Sequence, residues 1–369
     1  MNIKLSRGAL LKPLTYVSSV VEKRQTLPIL SNVLIQFDGS NKLSLTGTDL
    51  EVEVITYCNQ VSGEAGELSI NARKLYDITR SLPDDAEISI TSEDNGKSVI
   101  RSGKSRFTVQ TLPVDDFPKI ETEQWNQTWK LPASTFKQAL TRTSFAMAQQ
   151  DVRFYLNGLL LVSDSEKMTT VATDGHRLAK TEIQLTSKST DSEIQAIVPR
   201  KAITELNRMM DDIDDEISVS FNANHMRVEL DSVIFTSKLI DGRFPDYEKV
   251  IPKNQDKSIL IERHELQNTL NRAAILTNEK FRGVRLIITK DKMSVSANNP
   301  DQEEAFDEIK IEYSGEDIEI GFNVGYMLEA LNVINSEKVE ILLSDANSSG
   351  TLRAPGDAET VYIVMPMRL

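Results

Sequence analysis

Cysteine is all but missing from this 369-residue chain. The single Cys58 excludes an intrachain disulfide framework and any cysteine-rich zinc site. Histidine is nearly as scarce, with only His176, His225 and His264, scattered along the chain rather than gathered as a catalytic or ligand set would be. No run of about eighteen apolar residues occurs, so nothing in the sequence spans a bilayer as a helix. The opening Met1-Asn2-Ile3-Lys4-Leu5-Ser6-Arg7 has no apolar stretch of signal-peptide length, and the expected compartment is the cytoplasm. Positive charge is also in deficit: 42 Lys and Arg face 55 Asp and Glu, a net charge of −13 that on average opposes binding to nucleic acid. Aromatic residues make up 6%, and no aromatic-rich basic motif for stacking single strands is present.

What the chain does have is a period. With 40% hydrophobic and 26% charged residues it reads as an ordinary globular protein, long enough for two or three domains. Helical periodicity opens near Arg7, Asn71, Pro132, Arg200, Glu262 and Asn323, at intervals of 64, 61, 68, 62 and 61 residues. Pro132 and Pro199 are expected in first helical turns, where a missing amide proton costs nothing. Windows alternate in detail, so the unit is a pair of about 125 residues, present three times. First members lead to the corners Thr46-Gly47-Thr48-Asp49, Ala172-Thr173-Asp174-Gly175 and Ser296-Ala297-Asn298-Asn299. Second members end in a matching strand: Arg106-Phe107-Thr108-Val109, Ile234-Phe235-Thr236-Ser237 and Val361-Tyr362-Ile363-Val364. Polar connectors near 118–129 and 245–257 separate the copies. The expected domains are therefore 1–120, 129–247 and 257–369, each an α+β unit with two helices packed on antiparallel sheet. A protein of equivalent units is a scaffold by default, because a catalytic site would break the equivalence.

The charge follows the same period. The six helical windows hold 14 of the Lys and Arg but only 6 of the Asp and Glu, leaving the rest of the chain at net −21. Local motifs for other chemistry fail. Asn95-Gly96-Lys97-Ser98 and Gly103-Lys104-Ser105 lack the leading glycine of a phosphate loop, and the acidic run from Asp211 to Glu216 lacks calcium-loop spacing. A nuclease would need clustered carboxylates for two metal ions, and no copy carries a cluster the others lack. An interaction scaffold that never touches DNA remains as a second alternative.

Several stretches carry a resemblance: Thr26-Leu27-Pro28-Ile29-Leu30, Leu45-Thr46-Gly47-Thr48-Asp49-Leu50-Glu51, Val171-Ala172-Thr173-Asp174-Gly175-His176-Arg177-Leu178-Ala179, Asp241-Gly242-Arg243-Phe244-Pro245-Asp246-Tyr247, Asn278-Glu279-Lys280-Phe281-Arg282-Gly283-Val284 and Met365-Pro366-Met367-Arg368-Leu369. From end to end the chain resembles the bacterial β sliding clamp, the processivity subunit of the replicative DNA polymerase. The resemblance implies a non-catalytic, cofactor-free, head-to-tail homodimeric ring of six domains, threaded by duplex DNA and opened by a separate ATP-dependent loader. It implies DNA contacts at Arg24, Gln149, Gln150 and Arg153; Arg73, Lys137, Arg142, Arg200 and Lys201 are candidates on helix position alone.

It also implies a pocket for short peptides of the polymerase catalytic subunit, other polymerases and repair proteins. The pocket is drawn from Leu156, Thr173, Gly175, His176, Arg177, Leu178, Pro245, Lys249, Val250, Tyr326, Asn347, Ser349, Ile363, Val364, Met365, Pro366, Met367 and Arg368. Pattern alone favours a terminal strand buried in its own core; Lys249 stands where the family commonly has arginine, and 347–358 is turn-rich where a strand is due. For the dimer seam the resemblance implies Lys74, Lys104, Arg106, Phe107 and Val109 meeting Ile275, Leu276, Asp301, Glu304 and Asp307 of a second copy.

Overall fold

The computed structural model describes residues 1–21, 27–93, 95–120, 124–164, 166–185, 194–211 and 213–368. The first copy runs β1 (Asn2–Ser6), α1 (Arg7–Val20), β2 (Asn32–Phe37), β3 (Lys42–Thr48), β4 (Val52–Asn59), β5 (Ser62–Glu64), β6 (Gly66–Asn71), α2 (Ala72–Ser81), β7 (Glu87–Glu93), β8 (Lys97–Ser102), β9 (Ser105–Leu112). The second runs β10 (Gln127–Pro132), α3 (Ala133–Ser144), β11 (Gly158–Ser163), β12 (Lys167–Thr173), β13 (Arg177–Gln184), β14 (Ile194–Pro199), α4 (Arg200–Met209), β15 (Glu216–Phe221), β16 (His225–Leu230), β17 (Val233–Lys238). The third runs β18 (Lys257–Glu262), α5 (Arg263–Ala274), β19 (Gly283–Thr289), β20 (Lys292–Asn298), β21 (Glu304–Lys310), β22 (Ile318–Asn323), α6 (Val324–Val333), β23 (Lys338–Leu343), β24 (Gly350–Arg353), β25 (Thr360–Val364). Each copy thus has two helices among antiparallel strands, as its period implies.

Helices begin where the sequence places them, for a reason the sequence does not display. The first amide of α1, α3, α4, α5 and α6 donates to a carbonyl outside its own helix: Arg7 to Ala86, Ala133 to Asp215, Arg200 to Asn157, Arg263 to Glu337 and Val324 to Arg282, at 2.8–3.0 Å. That corrects the expectation for the two prolines. Pro132 and Pro199 are the last residues of β10 and β14, paired with Glu216 and Gly158, one position before their helices. A proline one residue later would forfeit the amide that ties the helix to the residue leading into a distant strand. Side-chain caps complete three of the starts: Ser6 Oγ accepts from Ala9 N, Asn71 Oδ1 from Lys74 N, and Asn323 Oδ1 from Gly325 N and Tyr326 N.

Each helix buries a stripe on the sheet beneath it. In α1 the stripe is Leu10, Leu14, Val17 and Val20, each worth about 1.5–3 kcal/mol of transfer out of water. Gly47 of β3 lies under that stripe, and a Cβ there would come within 2.5 Å of Val17 Cγ1. The close approach of helix to strand requires glycine at this position. Cys58 is buried in β4, where desolvation pushes its thiol up to about 12 and leaves it unreactive.

The described residues form two compact units, 1–134 with 204–239, and 135–185 with 194–203 and 240–368. The first holds a thirteen-stranded antiparallel sheet in the order β10-β15-β16-β17-β4-β3-β2-β6-β9-β8-β7-β1-β5. The second holds an eight-stranded sheet, β14-β11-β12-β13-β25-β24-β23-β18, and a four-stranded sheet, β21-β20-β19-β22. Strand pairing therefore crosses the borders of the copies. β17 of the second copy pairs with β4 of the first, Thr236 opposite Glu53. β13 of the second pairs with β25 of the third, Leu178 opposite Ile363. In the first of these joins the buried Glu53 carboxylate accepts a hydrogen bond from the Ile120 amide of the connector, and burial raises its pKa above the ordinary carboxylate value.

Candidate functional sites

The corner between β12 and β13 is built by its own side chains. Thr173 Oγ1 donates to the Arg177 carbonyl (2.5 Å) and accepts from the Gly175 amide (3.1 Å). Asp174 Oδ1 accepts from the amides of His176 and Arg177 (2.9 and 3.0 Å). Gly175 sits at φ +89°, and a Cβ there would lie 3.0 Å from the Arg153 guanidinium. Beneath the corner lies an apolar cluster of Ala148, Leu156, Leu160, Val171, Leu178, Ile197, Phe244 and Ile363, flanked by the half-buried Tyr155, Tyr247 and Ile251.

The C-terminal segment divides into a buried strand and a partly exposed end. β25 is buried throughout, paired on one side with β13 and on the other with β24. Ile363 and Val364, each 1% exposed, are core. After Val364 the chain leaves the sheet. Met365 donates its amide to the His176 carbonyl (2.9 Å) and Met367 donates to the Gly321 carbonyl (2.8 Å), while the Met365 side chain is 38% exposed. The His176 and Tyr326 rings stack with centroids 6.4 Å apart and planes 17° apart. Burial raises the Tyr326 phenol above its ordinary pKa. Beside this wall, Ile320, Gly321, Asn347, Pro366, Met367 and Arg368 line a cavity of about 440 Å³ that Arg285 and Glu319 also border.

Of the anticipated pocket residues, Leu156, Leu178 and Ile363 belong to the apolar cluster, Val364 is buried in β25, Thr173 to Arg177 make the corner, and Tyr326 and Met365 adjoin it at His176. Asn347 and Pro366 to Arg368 border the adjoining cavity. Pro245 and Lys249 are exposed, with Lys249 Nζ 2.7 Å from Asp246, and Val250 and Ser349 are half-buried. It is Phe244, Tyr247 and Ile251 that join the apolar cluster, a distinction among neighbours on one loop that periodicity could not make. Arg177 is not presented to solvent: its side chain is 10% exposed.

The candidate DNA residues divide by what already holds them. Arg24 lies outside the described residues. Arg73 is exposed and 3.2 Å from Asp77, and Gln149 and Gln150 are exposed, Gln150 at φ +56°. Lys137 and Lys201 are half-buried. Arg142 reaches Thr360 Oγ1 (3.4 Å) and Arg200 donates to the Met147 carbonyl (2.8 Å), so both guanidinium groups are engaged within the fold. Arg153 forks onto Asp151 and donates to the Asp174 carbonyl, and it draws the Asp151 carboxyl down to about 2. The same loop exposes Val152 (93%) and Phe154 (61%), which no sequence pattern singled out.

Not all helical cations are surface. Arg7 donates to the carbonyls of Thr79 and Arg80 at the end of α2, and its counterpart Arg263 donates to those of Leu331 and Ser336 at the end of α6. Lys12, Lys74, Arg80, Arg208 and Arg272 remain exposed. Among the described residues no group of three His, Cys, Asp or Glu is placed to hold a metal.

Among the described residues, two strands offer backbone that could take a partner strand. β21 borders the four-stranded sheet on one side only, and its exposed residues include Glu304, Phe306 (67% exposed) and Glu308. β9 pairs with β6 at Leu112 and Thr111 alone, which leaves 105–110 open on that side. Of the other anticipated seam residues, Ile275, just past the end of α5, is 77% exposed, Lys74 and Asp301 are exposed, Phe107 and Leu276 are half-buried, and Val109 is buried. Asp307 is 2.5 Å from Arg272.

Comparison with known proteins is consistent along the whole chain. Models of the DNA polymerase III beta subunit match as its N-terminal domain at 1–121, its central domain at 130–246 and its C-terminal domain at 248–368. The beta sliding clamp of Pseudomonas aeruginosa is 47% identical over 370 residues, and that of Escherichia coli K12 is 45% identical over 371, with all of each chain covered. A crystal structure of the P. aeruginosa clamp with ligand superposes at a TM-score of 0.97 and 47% identity, and Caulobacter crescentus pol III beta at 0.94 and 34%, again over all of each chain.

Proposed function

This chain belongs to the DNA polymerase III beta subunit family, and on that premise we propose that it is a sliding clamp, a non-catalytic processivity factor of the replicative polymerase. Two copies close head to tail into a ring of six similar domains, bounded in each chain at 1–120, 129–247 and 257–369. The ring encircles duplex DNA in the cytoplasm, slides along it irrespective of sequence and is opened by an ATP-dependent loader. The groove around Met365 tethers the polymerase catalytic subunit, other polymerases and repair proteins.

The observation that carries this reading is that β21 and β9, the counterparts of strands joined across copies elsewhere, are left open to each other's kind. Twice within the chain the same join recurs: β4 takes β17, and β13 takes β25. The corners align Glu304 with Glu53 and Leu178, each opposite the last residue of the preceding strand or bridge position: Asn298, Thr48 and Thr173. The two-residue hairpin turns align Ser105 with Val233, and therefore Thr108 with Thr236. The third join is then β21 of one copy with β9 of another, Glu304 opposite Thr108, Phe306 opposite Arg106 and Glu308 opposite Lys104. The charges and the aromatic ring are complementary. Such a contact uses different patches on the two partners, so it closes into a ring or grows without limit.

Closure supplies durable attachment without a tight grip. Phosphate contacts from Arg24, Gln149, Gln150, Arg153 and the helical cations position the duplex and carry no sequence information. Escape requires opening a seam. Loaded onto a nicked circle, the protein is expected to survive gel filtration in high salt and to leave once the circle is linearised; retention on the linear form would defeat the ring. Placing negative charge at both sites with Arg24→Glu and Gln150→Glu is expected to lower the salt slope of DNA binding by about one for the lost arginine contact. An unchanged slope, read by titration at several salt concentrations, removes those two residues from the interface.

A further inference from the structure

We infer that Glu329 is a positioning residue for the groove: it holds Arg177, and through Arg177 it fixes the Tyr326 and His176 wall that an incoming peptide meets. The inference rests on the reading of the groove as the peptide site. Arg177 donates from Nε to Asp174 Oδ2 (3.1 Å), from Nη2 to the Phe145 carbonyl (2.8 Å) and from Nη1 to Glu329 Oε2 (2.5 Å). Its guanidinium carbon lies 4.6 Å from the Tyr326 ring centroid and 5.3 Å from that of Phe145. Anchored on three sides and stacked against two rings, this cation acts within the wall rather than on a ligand.

The anchors are not equivalent. Asp174 belongs to the same corner as Arg177 and already accepts two of that corner's amides. It steadies the base of the side chain without directing its reach. Glu329 reaches Arg177 from α6, and Tyr326 precedes Glu329 by three residues on the same helix, hence on the same face. One guanidinium therefore pairs with Glu329 and packs on Tyr326 together. Tyr326 in turn stacks on His176, whose carbonyl receives the Met365 amide. The chain of contacts runs from a carboxylate 48% exposed to the start of the C-terminal segment. Without that carboxylate, a cation 10% exposed keeps one counter-charge, and its favoured response is to turn towards water and leave Tyr326 unsupported.

The test measures binding of the full-length protein to the purified polymerase catalytic subunit by surface plasmon resonance. Glu329→Ala is expected to weaken binding about tenfold, and Glu329→Gln, which keeps an acceptor for Arg177, by about threefold or less. The dimer, read by sedimentation, stays intact in both. The deciding measurement is a double-mutant cycle. If Glu329 acts through Tyr326, Glu329→Ala adds no loss to Tyr326→Ala; if it touches the partner or acts elsewhere, the losses multiply. Wild-type affinity in Glu329→Ala, or full multiplication in the cycle, overturns the proposal. A chain lacking 365–369 is run beside these variants. If that chain still binds, the groove reading itself fails, and with it this inference; if it does not bind while Glu329→Ala binds normally, only the inference fails.

Discussion

A chain ending at Val364 is expected to lose capture of the polymerase catalytic subunit while still forming dimers. The truncation removes Met365, Pro366 and Met367, which run from the His176 carbonyl to that of Gly321, and leaves β25 in its two ladders. Methionine suits such a place because its unbranched thioether adapts to several partner side chains in turn. Two buried anchors at about 2 kcal/mol each amount to about a thousandfold in affinity. Within the chain, the cost is two backbone hydrogen bonds, of about 1 kcal/mol each. Surface plasmon resonance against the catalytic subunit, with sedimentation on the same sample, separates the outcomes. Retained binding would mean that the segment is not the docking wall, and simultaneous loss of the dimer would mean that it is core.

The second large effect is expected at the seam. Replacing Ile275 and Leu276 with alanine should shift the protein towards monomer, because each such side chain contributes about 1.5–3 kcal/mol when fully buried. A closed dimer contains the seam twice, so the loss counts twice in the equilibrium between ring and monomers. Phe306→Asp should act in the same direction by placing a charge where the register sets an aromatic ring against Arg106. Sedimentation across a dilution series measures both. An unaltered dimer in Ile275→Ala with Leu276→Ala would sink the seam as drawn, while an unaltered dimer in Phe306→Asp alone would sink only the register.

Much of the fold was legible in the sequence. Helix starts lie within one residue of expectation because separate signals coincide: apolar spacing and a preceding strand at each, with a cap or proline at every start but that of α5. The prolines sit one position before the expected turn because a hydrogen bond from a helix to the residue leading into a distant strand has no local signature. Candidate residues were legible by type but not by state. Arg142, Arg177 and Arg200 look alike in sequence to Arg73, yet the fold uses their guanidinium groups internally and leaves Arg73 at the surface. Phe306 and Glu329 carry no signal in the sequence because neither breaks a pattern: one is a strand residue of ordinary type, the other a helical acid.

By itself the sequence determined the threefold period, the order of helix and strand within each copy, and the concentration of positive charge on helices. These are local properties, set by side-chain periodicity over a few turns or a few strand residues. Tertiary structure decided which edges pair across copies, which cations are consumed as internal staples, and where the last strand ends and the exposed segment begins. Each of those depends on partners 32 to 218 residues away in sequence, and a backbone amide or guanidinium carries no mark of its distant acceptor until the chain has folded.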